Sequence, residues 1–193
     1  MVHDVNGHRS DSLRVNVYTR EPRVRLSVNG RVIGEQNVNQ DTYTATFWVA
    51  YEPGELKAEV VKGKRAEVTF STSGAPAAIQ FVPVKSGRPA DSTVISSSHN
   101  DLAYVYLRVV DADGNLCPTA EIPLDIKTSG DRHLAVAGTG HPYDVRSFRS
   151  LKPTTFRGQA LLIIQPQDEK GVVNITASSP KFNTQGTFRV VME

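Results

Sequence analysis

Apolar and polar positions alternate along much of this chain with a period of two. Leu13, Val15 and Val17 alternate with Arg14, Asn16 and Tyr18, and Val24, Leu26 and Val28 alternate with Arg23, Arg25 and Ser27. Successive side chains of a strand point to opposite faces, so each run predicts a half-buried β-strand. Asn29-Gly30 separates the second run from Arg31-Val32-Ile33, and that dipeptide supplies the positive φ angles a type I′ hairpin requires. The same reading predicts strands at about residues 42–51, 56–61 and 65–70, punctuated by Glu52-Pro53-Gly54-Glu55 and Lys62-Gly63-Lys64.

The stretch Ser71-Thr72-Ser73-Gly74-Ala75-Pro76-Ala77 is small and turn-prone, and alternation restarts at Ile79 with Phe81 in phase. A domain boundary is expected there, dividing the chain into residues 1–75 and 76–193. Beyond it, seven strands are predicted at about residues 77–84, 102–110, 121–128, 133–137, 158–165, 171–178 and 185–192. No segment carries an apolar stripe at helical spacing over three turns, and residues 144–152 read as a short surface turn. The expectation is an all-β protein of two immunoglobulin-like antiparallel β-sandwich domains in tandem.

Composition sharpens this picture. The chain holds 24 Val and 15 Thr but only 11 Leu and 2 Met, a bias toward β-branched side chains that pack well on a pleated surface. Its 193 residues suit one large domain or two small ones. Lys and Arg number 22 against 20 acidic residues, a net charge of +2. The basic side chains are scattered among acids and form no stripe with interleaved aromatics, so no nucleic-acid partner is expected. The longest apolar run, Ala160-Leu161-Leu162-Ile163-Ile164, falls far short of the eighteen or so residues of a membrane-spanning helix. Cys117 is the sole cysteine, so no internal disulfide or Cys-based zinc site is expected. Residues 1–9 carry one basic side chain and no apolar segment, so no signal peptide is read there. The expectation is a cytosolic protein or a piece of a longer one.

Candidate chemistry is sparse. Glu52 and Glu55 flank a Pro-Gly turn, and Asp111 and Asp113 lie in Asp111-Ala112-Asp113-Gly114-Asn115, where Asp and Gly favour a bend. Both pairs read as solvated turns. The Asp-rich stretch fails as a calcium loop, because Gly falls fourth and Ile122 stands twelfth, where an EF-hand wants Gly sixth and a bidentate Glu twelfth. His3, His8, His99, His133 and His141 show no zinc-ligand spacing and read as loop or surface residues. No Gly-x-Ser-x-Gly elbow is present, and Gly138-Thr139-Gly140 lacks the third glycine and the helix of a dinucleotide loop. Asn174-Ile175-Thr176 fits an N-glycosylation pattern but sits within a predicted strand. No catalytic residue, metal or cofactor is expected.

One aromatic segment carries more weight. Alternation over residues 42–51 places Tyr43, Ala45, Phe47, Val49 and Tyr51 on one face, expected to be core. The opposite face carries Thr42, Thr44, Thr46 and the sole tryptophan, Trp48. An outward indole could stack on a sugar ring, with Tyr18 and Tyr43 as helpers, or fill a contact between domains. The domain-contact reading is favoured, because one indole without exposed aromatic neighbours makes a poor sugar site.

The motifs also resemble a known family. Val17-Tyr18-Thr19 followed by Val24-Arg25-Leu26-Ser27-Val28-Asn29-Gly30-Arg31-Val32-Ile33-Gly34 is similar to the segment that follows the catalytic barrel in bacterial β-galactosidases of glycoside hydrolase family 2. Phe47-Trp48-Val49-Ala50-Tyr51-Glu52-Pro53-Gly54-Glu55-Leu56-Lys57-Ala58 resembles that family's Trp-Val-Pro-Tyr stretch, and Thr72-Ser73-Gly74-Ala75-Pro76-Ala77 resembles its small-residue linker. The likeness continues, in order, through Asp101-Leu102-Ala103-Tyr104-Val105, Val110-Asp111-Ala112-Asp113-Gly114-Asn115, Gly138-Thr139-Gly140 and Phe156-Arg157-Gly158-Gln159-Ala160-Leu161. Two positions depart from it: His141 follows the Gly-x-Gly loop where the family usually has Asn, and Arg25 stands where an acidic residue is common.

The resemblance implies C-terminal sandwich modules of a retaining β-glycosidase, here a β-galactosidase. That family's catalysis uses two Glu residues on an upstream (β/α)8 barrel, the acid/base one in an Asn-Glu dipeptide, and this chain contains no such dipeptide. It also lacks the strand–helix alternation of a barrel of about 250 residues. The implied role is a non-catalytic scaffold whose partner is the upstream catalytic domain of the same polypeptide, shaping its cleft or holding a homo-oligomer of the parent. The parent is expected to be periplasmic or exported. Two alternatives remain: a carbohydrate-binding module using Trp48, and an adhesin-type immunoglobulin-like repeat, whose Asp-x-x-Gly-Asn signature residues 110–118 resemble.

Overall fold

The computed structural model describes residues 12–130 and 133–193. Residues 1–9, with His3 and His8, lie outside them. Contacts divide the chain after Thr72 into two compact units.

In the first unit, β1 (Ser12–Tyr18) pairs antiparallel with β4 (Thr44–Ala50) as a two-stranded ribbon. The ribbon lies over a four-stranded sheet of β3 (Arg31–Asn37), β2 (Arg23–Val28), β5 (Glu55–Lys62) and β6 (Glu67–Ser71), in that order. Their inner faces supply one core: Val24, Leu26 and Val28 of β2 and Ala45, Phe47 and Val49 of β4 are buried, with Val15 and Val17 of β1 packed against them. The alternation predicted for β1 and β2 is observed, as is that of β4 from Ala45 to Val49.

The β2–β3 hairpin turns on Asn29 and Gly30 with φ of 50° and 76°, both in the left-handed region that a type I′ turn demands. Asn29 also holds the neighbouring turn. Its side-chain Oδ1 accepts from the Glu55 N–H at 2.7 Å and its Nδ2 donates to the Pro53 carbonyl at 3.0 Å. The close approach requires glycine at residue 54, where φ is 128° and a Cβ would lie 1.9 Å from the Asn29 Oδ1.

The second unit is a two-sheet sandwich. One sheet orders β11 (His133–Gly138), β12 (Gln159–Pro166), β9 (Ala103–Val110) and β7 (Ala78–Pro83), and the other β10 (Asp125–Gly130), β13 (Gly171–Ser179), β14 (Phe182–Met192) and β8 (Ser92–Ile95). Val105, Leu107, Leu162, Ile164, Val173, Ile175 and Val190 fill the space between them. The Phe81 and Phe188 rings stack at 5.3 Å and 13° across the core.

Four features of this architecture depart from expectation. The strand β8 was not predicted; it is four residues long with only Ile95 buried, too short to display alternation. It pairs parallel with β14, so the second sandwich is not wholly antiparallel. Residues 121–124 are not strand. Pro123 offers no N–H for a ladder, and the segment is instead fastened by buried Thr155, whose Oγ1 accepts from the Ile122 N–H at 2.8 Å and donates to the Ala120 carbonyl at 2.7 Å. Finally, Tyr43 and Tyr51 are exposed rather than core, at 48% and 57%. Tyr43 has φ of 53° in a turn capped by Asn39, whose Oδ1 accepts from the Asp41 and Thr42 N–H groups. The strand therefore begins at Thr44 and ends at Ala50, leaving both tyrosines off it. The surface turn expected at residues 144–152 contains a single 3-10 turn at Phe148–Ser150.

Truncating a ring of the stacked pair leaves a cavity that a two-sheet core closes poorly. Phe188→Ala is expected to lower unfolding free energy by about 3–5 kcal/mol, read as a shift of the urea midpoint.

Candidate functional site

Directly opposed residues of an antiparallel pair share a face. The ribbon register opposes Arg14 to Trp48, Asn16 to Thr46 and Tyr18 to Thr44, and the intervening residues face the core. The outer face therefore presents two aromatic rings, one cation and a polar row. Trp48 is 63% exposed and Tyr18 71%. Between them Thr46 Oγ1 donates to Asn16 Oδ1 at 3.0 Å, and Asn16 Nδ2 reaches the Tyr18 hydroxyl at 3.4 Å. Of the three aromatics picked from the sequence, the structure brings Trp48 and Tyr18 onto one face. Tyr43 stands in the turn at the end of that ribbon. Sequence reasoning passed over Arg14 and Asn16; the signal was available in the polar phase of β1, but only the pairing with β4 sets them beside Trp48.

Several charged side chains elsewhere in this unit pair with one another. On the solvent face of the four-stranded sheet Arg25 lies between Glu35, at 2.6 Å, and Glu59, at 3.0 Å. Arg23 pairs with Glu35, Lys57 with Glu67, and Arg31 with Glu52. The Arg25 hydrogen bond holds the Glu35 carboxyl below its usual range, and the two flanking glutamates account for a cation at the position where the resemblance favours an acid. Arg14 has no ion pair or hydrogen-bond partner among the described residues.

In the second unit Asp113 is exposed as expected of a solvated turn, but Asp111 is not. Asp111 is 5% exposed, and its carboxylate accepts from the N–H groups of Gly74 at 2.7 Å, Asn115 at 2.8 Å and Asp113 at 3.0 Å, and from Asn115 Nδ2 at 3.1 Å. The Gly74 N–H leads in holding this carboxyl below the ordinary range. The side chain is thus a brace that fastens the small-residue linker to the sandwich. Glu52 and Glu55 serve the Pro53-Gly54 turn, through the Arg31 pair and the Glu55 N–H bond to Asn29. Among the described residues no three His, Cys, Asp or Glu side chains gather as a metal site.

Of the described histidines, exposed His99 contacts the Asp168 carboxylate through Nδ1 at 2.9 Å. The His141 ring meets Phe156 edge-on at 4.8 Å, and its Nδ1 accepts from the Tyr143 N–H at 3.1 Å. Cys117 is buried and unbridged. The Gly138-Thr139-Gly140 loop lines an apolar groove of about 400 Å³ with Tyr106, Leu161 and Phe148. Asn174 is exposed but lies mid-strand, paired on both sides. No helix among the described residues is long and apolar enough to cross a membrane.

Comparison with known proteins gives this arrangement a family. Residues 87–187 match the glycoside hydrolase family 2 C-terminal domain 5, and residues 10–67 match a domain of unknown function, DUF4982. The chain belongs to the C-terminal domains of glycoside hydrolase family 2. It is 29% identical over 164 residues to the β-galactosidase BoGH2A of Bacteroides ovatus, covering 84% of this chain and 18% of that protein. It is 32% identical over 165 residues to a β-glucuronidase of Formosa agariphila, covering 82% and 16%. A crystal structure of a glycosyl hydrolase family 2 member from Bacteroides cellulosilyticus superposes with a TM-score of 0.82 at 26% identity, over 94% of this chain and 23% of that one. The chain thus spans less than a fifth of the two relatives it matches in sequence.

Because Asp111 titrates lower in the folded chain than in the unfolded one, its stabilisation is present above the unfolded value of about 3.9 and is lost as pH falls through the folded value. Asp111→Ala is expected to lower the urea midpoint at pH 7, with the gap from wild type narrowing as the pH drops below that unfolded value. A gap constant down to strong acid would show that the carboxylate charge is not what braces the linker.

Proposed function

We propose that the chain is the non-catalytic C-terminal region of a family 2 β-galactosidase, serving as scaffold modules beside the catalytic barrel of the same polypeptide. The observation that carries this reading is the pair of adjoining family matches, in tandem, within a chain that spans less than a fifth of relatives named as glycosidases. The residue chemistry agrees. Of the candidate acids, the Asp111 carboxylate is committed to structural hydrogen bonds and the Glu52 carboxylate to the Arg31 guanidinium, so neither turn offers a free pair of carboxylates to serve as acid and nucleophile of glycoside hydrolysis. Both units expose apolar side chains suited to a neighbouring domain, among them Phe70 in the first and Tyr143, Val145 and Phe148 in the second. The galactoside assignment rests on the ordered motif likeness together with the Bacteroides relative.

The purified chain is expected to release no chromophore from aryl β-galactosides above the buffer blank, while the full-length protein hydrolyses them. Dose-dependent turnover by the isolated chain would overturn the scaffold reading. Preference of the full-length enzyme for aryl β-glucuronides would overturn the galactosidase assignment and leave the scaffold reading intact.

A further inference from the structure

We infer that the outer face of the β1–β4 ribbon binds an acidic, uronic-acid-containing oligosaccharide, with Trp48 and Tyr18 as stacking rings and Arg14 as the partner of a sugar carboxylate. Three observations converge on this ligand class. The first is the aromatic spacing. Arg14 opposes Trp48 and Tyr18 lies four residues further along β1, so the two ring-bearing positions stand roughly 14 Å apart at the strand rise of about 3.4 Å per residue. That span suits a short chain of sugars rather than one ring. Aromatic faces give sugars large apolar contact at low conformational cost, and the Trp N–H and Tyr O–H remain free to bond at the edges.

The second observation is the polar row between the rings. Asn16 and Thr46 are tied to each other, which orients the amide and hydroxyl before any ligand arrives; such preorganisation lowers the cost of ordering on binding. The third is charge. Arg14 pairs with nothing among the described residues, it is the one cation of the ribbon strands, and no Asp or Glu occurs in either of them. An unpaired guanidinium beside an exposed indole is complementary to a carboxylate, which it can grip with two parallel hydrogen bonds. A two-stranded ribbon is strongly twisted, so its two rings are inclined to one another. They fit a single curved chain and not a flat polysaccharide surface.

The inference is independent of what the parent hydrolyses, and its test uses no turnover. Trp48 is the only tryptophan, so its fluorescence reports this face alone. Titration of the full 193-residue chain with oligogalacturonides is expected to give a saturable change that neutral galacto-oligosaccharides of matched length do not. By calorimetry, Trp48→Ala should abolish binding, Trp48→Tyr should retain part of it, and Arg14→Gln should weaken it roughly ten- to hundredfold, the size of a lost charge-assisted hydrogen bond. Each variant is checked by thermal melting, and the Trp48→Tyr and Arg14→Gln arms decide should Trp48→Ala fail to fold. No saturation with the acidic ligand, equal binding of neutral and acidic chains, or unchanged affinity in Arg14→Gln would overturn the proposal. A negative result here leaves the scaffold reading standing, and turnover by the isolated chain would not rescue it.

Discussion

Each unit depends on keeping one face of every strand out of water. Strands alternate strictly, so slipping a pairing by one residue would turn its whole apolar set to solvent. With only a single 3-10 turn for helical structure among the described residues, nothing but the facing sheet can cover those side chains. Register is therefore the controlling variable in both units. In the first, it sends Val15 and Val17 inward with Phe47 and Val49 and, by the same geometry, sends Arg14, Tyr18 and Trp48 outward. Core and candidate binding face are two consequences of one pairing.

What pins the register is a set of braces at the turns. Asn29 spans from its own hairpin to the Pro53-Gly54 turn, tying β2–β3 to the start of β5. Asp111 gathers Gly74, Asp113 and Asn115, tying the linker to the second sandwich. Thr155 does the same for the segment around Ile122. Many residues that carry the family likeness are among these braces, which gives a physical reason for a motif without catalytic residues. Short polar side chains satisfying several backbone N–H groups at once tolerate few replacements, whereas a strand interior accepts any β-branched residue of suitable size.

The two units distribute charge differently from apolar surface. Ion pairs at exposed positions contribute little individually, yet the ladder around Arg25 makes the four-stranded sheet of the first unit electrically quiet. The ribbon on the other side carries no Asp or Glu, and Arg14 is the one cation of its strands. In the second unit the exposed surface at Tyr143, Val145 and Phe148 is apolar, and the groove beside Gly138 has few polar groups. A scaffold role and a ligand-binding role can thus occupy separate surfaces of one chain.

From sequence alone, the alternation of Val, Leu and Ile with polar residues specified the strand class and most strand positions, because half-buried strands write a period of two directly into the chain. The Asn29-Gly30 turn was equally legible, since its backbone conformation admits few residues. Other features depended on partners far away in the chain. Strand β8 has too few residues to show a period and exists because β14 offers it an edge. Tyr43 looked like core by phase, and the Asn39 turn took it off the strand. Asp111 read as solvated because local pattern cannot reveal that Gly74 returns to meet it. The candidate site divides in the same way: Trp48 was visible as an outward aromatic, but its companions Tyr18, Arg14 and Asn16 belong to a strand some thirty residues earlier. Only the antiparallel pairing of β1 with β4, a long-range register set by burial on the opposite face, makes them one surface.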